Sequence, residues 1–271
     1  MSWQAIAQKD FEDAVRSRWV LGLTAFFVLL IAAAAYFVRP GPGQTFSSNQ
    51  LLGMVSGTVV TTLIPLIALV MAYGAVVGER DSGSLKLLLS LPHSRADVVF
   101  GKVAGRSLAL AVPIVVGFIV PALLLALGPL QFDAGSYVGY TLLTVFLGVV
   151  FVAIAVGFSA AMSSQRLAVA GAIALYFLFV PLWGAVRFPL QLYLGMGGGP
   201  SWLPVSGQDL FTAFQLLNPN AAFKIISEAF LGGQLFAGQS ARLQLAAAGM
   251  LLVWLAVPPL LGFLRFDAAD L

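Results

Sequence analysis

Six long stretches free of Asp, Glu, Lys, Arg and His constrain this chain more than any other feature. They run over 19–38, 54–77, 107–127, 137–162, 167–186 and 245–264. Each has the roughly 20 residues that a helix needs to cross a hydrocarbon layer about 30 Å thick. The stretches are continuously apolar, whereas barrel strands would alternate polar and apolar residues. The expected fold is therefore an all-α integral membrane protein with six transmembrane helices. Only 9% of the 271 residues are charged and 60% are hydrophobic. A water-facing surface normally requires about 25% charge, so most of the chain has lipid as its solvent. The first stretch reads as a retained span and not as a cleaved signal, because the tail before it is long and carries Asp10, Glu12 and Asp13.

Orientation follows from the cations. Lys9, Arg16, Arg18, Arg80, Lys86, Arg95, Lys102, Arg106, Arg166 and Arg265 fall on the amino-terminal side of the membrane. Arg39, Arg187, Lys224 and Arg242 fall on the other. Ten against four places the amino terminus in the cytoplasm, and an even number of spans places the carboxyl terminus there too. The net charge of +3 is too small and too dispersed for a nucleic-acid footprint.

Outside the spans, residues 2–18 read as an amphipathic helix with Trp3, Ala7, Phe11, Ala14 and Val15 on one face. Lys9, Asp10, Glu12, Asp13 and Arg16 lie largely elsewhere. Residues 188–241 form a long outer connection, in which Pro219 marks a helix start and 221–231 a short amphipathic helix. The glycine run 197–199 reads as a flexible joint. The glycine pairs Gly53/Gly57, Gly101/Gly105 and Gly135/Gly139 suggest close helix packing at most. No linker or internal repeat is visible, and 1–271 reads as one membrane domain.

The segment 78–106, GERDSGSLKLLLSLPHSRADVVFGKVAGR, holds five of the ten inner cations. Ser84 is placed to cap a short helix through Leu85, Lys86, Leu87, Leu88 and Leu89, which Pro92 ends. Ser94 caps the next helix, with Asp97 at its third position completing a capping box. Leucines outside the bilayer must bury themselves on the chain's own bundle or on a partner.

Several chemistries are excluded. Gly78 to Gly83 has the glycine spacing of a phosphate loop, but Ser84 and Leu85 stand where Lys and Ser or Thr are required, so the chain itself is not an ATPase of that kind. With no cysteine and one histidine, His93, a zinc enzyme is not supported. Spans without ionisable residues weaken an ion-coupled carrier, although backbone carbonyls can still bind sodium.

The string GERDSGSLKLLLSLPHSRADVVFGK resembles the signature region of permeases of the type-2 exporter family of ATP-binding-cassette (ABC) transporters, through Glu79, Arg80, Asp81, Gly83, Ser84, Leu85, Pro92, Ser94, Arg95, Gly101 and Lys102. The six-span layout, the amphipathic first helix, LNPNAAF before the last span and the tail RFDAADL extend the resemblance over nearly the whole chain. Within the family, the permease type of nitrous-oxide-reductase maturation systems is most similar. The resemblance implies a prokaryotic cell-membrane exporter in which two permease chains form the pathway. It also implies two separate ATPase subunits, which carry the ATP and Mg, this chain holding no cofactor. The helix near 84–91 would be the coupling element, with Leu87 and Leu88 toward the ATPase and Glu79, Arg80 and Asp81 anchoring its base. A secondary carrier or channel, or an assembly factor without transport, are the alternatives. The cargo is not encoded in any motif.

Overall fold

The structure is a computed structural model; it describes residues 3–37, 47–90, 94–127, 131–196 and 205–268. All regular structure among them is helical, apart from an isolated bridge between Ser47 and Gln131. In chain order the helices are α1 (Trp3–Val15), α2 (Arg18–Phe37), α3 (Ser48–Val55), α4 (Thr61–Ala72), α5 (Val77–Asp81), α6 (Ser84–Ser90) and α7 (Arg95–Ala126). They continue with α8 (Ala134–Ala161), α9 (Gln165–Phe177), α10 (Trp183–Gly195), α11 (Gly207–Leu216), α12 (Pro219–Leu231) and α13 (Ala241–Asp267). Two widened π-turns, Ser56–Val60 and Leu178–Leu182, join α3 to α4 and α9 to α10.

Five helical runs are long and apolar enough to cross a membrane: Thr61–Asp81, Arg95–Ala126, Ala134–Ala161, Gln165–Gly195 and Gly238–Asp267. A sixth is reached if α1 and α2, bent by 67° at their junction, count together as one span. The chain is thus the all-helical membrane protein that its apolar blocks require. Several boundaries differ from the sequence reading. The third span was expected from residue 107, yet α7 starts twelve residues earlier at Arg95. Its 32 residues rise about 48 Å at 1.5 Å each, which exceeds the hydrocarbon by roughly 18 Å. Lys102 and Arg106 belong to that excess, so charge did not end the helix. Likewise the fifth span passes residue 186 and Arg187 and ends at Gly195. The second stretch is not one rod: it passes from α3 through a π-turn into α4, with a further break before α5.

Local chemistry explains the helix starts. Ser94 and Asp97 form the expected capping box, and Ser47 with Gln50 forms a second. Asp133 caps α8, and the hydroxyl and amide of Ser136 hold its carboxyl below the usual range. Asn218 caps α12, with Pro219 in its first turn.

Helix α8 is the central post. Val150 to Ala155 are all buried, because α4, α7, α12 and α13 surround it; a helix apolar on every side has that fate. Its closest neighbour is α13. Gly262 faces the backbone of Gly157, and a Cβ on Gly157 would enter the carbonyl of Pro258. Small residues permit such backbone-on-backbone packing where lipid supplies no hydrophobic drive. Gly157→Ala is expected to force α13 away and cost about 1–3 kcal/mol, as overpacking does. The check is the thermal midpoint of the purified chain in detergent, measured by size-exclusion profile. Gly249→Ala, where a Cβ meets nothing within 4 Å, serves as the neutral control.

Candidate functional site

The end of the bundle where α1, α5 and α7 meet carries the ionic chemistry. Helix α7 packs on α1 at Gly101 and Gly105, where a Cβ would stand 2.8 Å from the Trp3 carbonyl and 2.7 Å from that of Ala7. The two glycines bring the backbones together and leave the cations of the same two turns beside the acids of α1. Lys102 Nζ lies 2.7 Å from Glu79 Oε1 and 3.6 Å from Asp10 Oδ1, and its side chain is 3% exposed. Arg106 Nε lies 2.9 Å from Asp10 Oδ2, and Arg106 Nη1 donates to the Met71 carbonyl at 3.1 Å. The Arg106–Asp10 contact is an ion pair without hydrogen-bond alignment, and Glu79 Oε2 has no hydrogen-bonding partner among the described residues. Two acids and two bases from α1, α5 and α7 thus balance in a site that is buried at Lys102 and Asp10 and partly open at Glu79 and Arg106.

The elbow formed by α5 and α6 hangs from this cluster. The break before α5 leaves two amides without helical partners, and the fully buried Ser159 hydroxyl of α8 accepts from both Val76 and Val77, at 3.1 and 3.2 Å. Asp81 accepts from the Gln165 amide at 2.8 Å, a carboxylate at the N-terminus of α9. Gly83 turns the chain with φ of +75°, a conformation that an L side chain resists. Ser84 is the first residue of α6, and its hydroxyl donates back to the Glu79 carbonyl at 3.4 Å. At the far side Arg95 donates to the carbonyls of Phe266 and Asp267 and lies 5.2 Å from the Phe266 ring centre, tying α7 to the end of α13. Asp97 accepts from the Trp3 amide at 3.2 Å as well as from Ser94. Arg80, with Ser163 and Arg265, lines a cavity beside the last turn of α8.

Not every sequence-predicted residue reaches this cluster. Leu85 is buried on the chain's own core and Leu88 packs partly against it, so the leucine run is at least partly satisfied within the bundle. The side chains of Lys86, Leu87 and Leu89 lie outside the described residues, as do Pro92 and His93. Asp10 corrects the reading of α1. It was assigned to the polar face, yet it is buried together with Ile6, Ala7 and Ala14, while Trp3 is exposed. The buried face is rotated toward Asp10 because pairing with Lys102 and Arg106 removes the cost of burying it. The available signal was Gly101 and Gly105 each followed by a cation. No group of three or more His, Cys, Asp or Glu side chains is placed to hold a metal among the described residues.

These observations define a polytopic helical membrane protein with a charge-locked elbow at one end, between its second and third long spans. Compared with known proteins, the chain matches the family described as ABC-2 family transporter protein over residues 4–271. It is 36% identical over 232 residues to the "Probable ABC transporter permease protein NosY" of Pseudomonas aeruginosa, covering 82% of this chain and 80% of that protein. It is 31% identical over 227 residues to the protein of the same description from Stutzerimonas stutzeri, covering 82% and 79%. The chain belongs to the ABC-2 transporter family and is a membrane subunit of an ABC transporter.

Removing one partner from a buried ion cluster leaves uncompensated charge and costs about 3–5 kcal/mol. Lys102→Met is expected to destabilise the chain by that order, since Glu79 would lose its closest cation and Asp10 would keep only Arg106. Arg16→Met, in an exposed pair with Glu12, should change little. Thermal unfolding of both variants in the same lipid nanodiscs checks this.

Proposed function

We propose that this chain forms the substrate pathway of an ATP-driven exporter. It works as a pair of permease chains, with an ATPase subunit docked beneath each at α6. The observation that carries the reading is the elbow's attachment. Glu79 joins it to Lys102 of α7, Asp81 joins it to the start of α9, and Ser159 joins it to α8. A push on α6 therefore reaches three long spans through short polar contacts, of which those at Ser159 are buried. Closure of an ATPase pair would use such a linkage to bias the spans between two states. Pairing with a second permease chain is supported by the fifth long span, which is buried over only 11% of its apolar window; α10 has no buried residue.

With the termini and 78–106 in the cytoplasm and 188–241 outside, reporter fusions at residues 92 and 210 give opposite signals; equal signals overturn the topology.

Glu79→Gln keeps size but removes the charge that meets Lys102. It is expected to lower ATP hydrolysis in reconstituted vesicles while the ATPase subunit still copurifies. Leu87→Asp and Leu88→Asp are expected to weaken copurification itself, because a charge would enter an apolar contact. Normal ATPase binding by both leucine variants would refute α6 as the docking helix. Activity of the purified chain without any ATPase would favour a carrier.

A further inference from the structure

The outer end of the bundle has its own organising element, and the transport reading does not use it. Helix α12 touches both π-turns. At one end, Asn218 Nδ2 donates to the Phe179 carbonyl at 2.8 Å, and Asn220 Nδ2 reaches the same oxygen at 3.4 Å. Phe179 lies inside the π-turn Leu178–Leu182, which also contains Pro181. Further along, the Ser227 hydroxyl stands 3.5 Å from that of Ser56, the first residue of the π-turn Ser56–Val60. Asn49 of α3 donates to the Leu231 carbonyl at the end of α12. The sixth span joins through Trp254, whose ring nitrogen donates to the Leu217 carbonyl at 3.0 Å and whose ring meets Phe179 edge-on at 5.2 Å.

A π-turn inserts an extra residue into the helical repeat and opens a carbonyl to an outside donor. In lipid no water is at hand to satisfy it. The two spans that carry these turns also enclose an apolar groove of about 340 Å³, between Leu66 and Leu69 of α4 with Tyr73 just beyond it, and Ala172, Ile173 and Tyr176 of α9. The first π-turn directly precedes α4 and the second directly follows α9, so α12 holds the outer ends of both walls.

Asn218 is 2% exposed and does two separable things. Its Oδ1 accepts from the Asn220 amide at 2.8 Å and caps α12; its Nδ2 holds the π-turn. We infer that Asn218 is a positioning residue for transport. Through the Phe179 carbonyl it sets the register of the fifth span on α12, so that α12 and the outer ends of the second and fifth spans shift as one body. The transport part of this inference rests on the ATP-driven reading above; the register part does not.

Two variants separate the roles. Asn218→Ser keeps a capping oxygen but is too short to reach Phe179. Asn218→Asp keeps shape and cap, removes the donor and sets an anion against the carbonyl. Hydrogen–deuterium exchange in nanodiscs should show the amides of 178–183 exchanging about tenfold faster in the Ser variant, the effect of one lost hydrogen bond. The Asp variant should exchange faster still, and in both the start of α12 should stay protected. Wild-type exchange at 178–183 in both variants overturns the inference. Because the chain has no cysteine, Val186→Cys on the exposed face of α10 gives a single maleimide site. With the ATPase subunits bound, ATP should change its labelling rate in the otherwise wild-type chain. Asn218→Asp should abolish most of that change while basal hydrolysis continues; a full ATP response in this variant overturns the transport part. No ATP response without the Asn218 change counts against the ATP-driven reading, and the exchange experiment then decides the register claim alone.

Discussion

Burial of the Lys102 ammonium between two carboxylates is the interaction on which the inner half of the structure depends. An isolated ammonium does not leave water without a large penalty, and its partners must arrive from elsewhere in the chain. Asp10 comes from α1 and Glu79 from α5, and together they neutralise the cation that α7 carries ahead of its apolar segment. The same balance lets α1 lie against α7, because Gly101 and Gly105 remove the side chains that would hold the backbones apart. The first helix, the elbow and the third long span are therefore one assembly.

The outer half is organised on a different principle. There, polar side chains serve the backbone more than each other. Asn218 and Asn220 serve the Phe179 carbonyl, Trp254 serves Leu217, and Tyr137 donates to the Phe118 carbonyl at 3.0 Å. The two broken spans need this help, since a widened turn leaves backbone groups that lipid cannot satisfy. The contrast fits a protein in which the inner end is held by charge and the outer end by neutral hydrogen bonds. Ion pairs transmit position over short, rigid contacts, whereas single amide–carbonyl bonds are exchanged at modest cost.

Much of the fold was legible in residue type alone. The apolar blocks located the membrane-crossing runs, Ser94 and Asp97 announced the start of α7, and Pro219 announced α12. Span ends were less legible, because the absence of charge was used to mark them. Lys102, Arg106 and Arg187 lie within helices that continue through them. The candidate site was half legible. Glu79, Arg80, Asp81, Ser94 and Arg95 were named from the signature region, and a short helix begins at Ser84, beside its expected cap. Asp10 was missed, because helical periodicity ranks a carboxylate as polar and is blind to a cation 92 positions later in the chain. Of the two burials open to the leucine run, the chain's own core takes Leu85.

The sequence by itself determined that this chain lives in a membrane, that it is helical, that Ser94 and Pro219 mark helix starts and that it lacks a phosphate loop. These follow from composition and from spacings of a few residues, which act within one helical turn. Only the tertiary structure decided that α1 is locked to α7 by Asp10, that two spans are broken by π-turns, and that α12 reaches both. Each of those depends on groups far apart in the chain meeting at hydrogen-bond or ion-pair distance. Whether a polar side chain can be buried is decided by the partner it meets there.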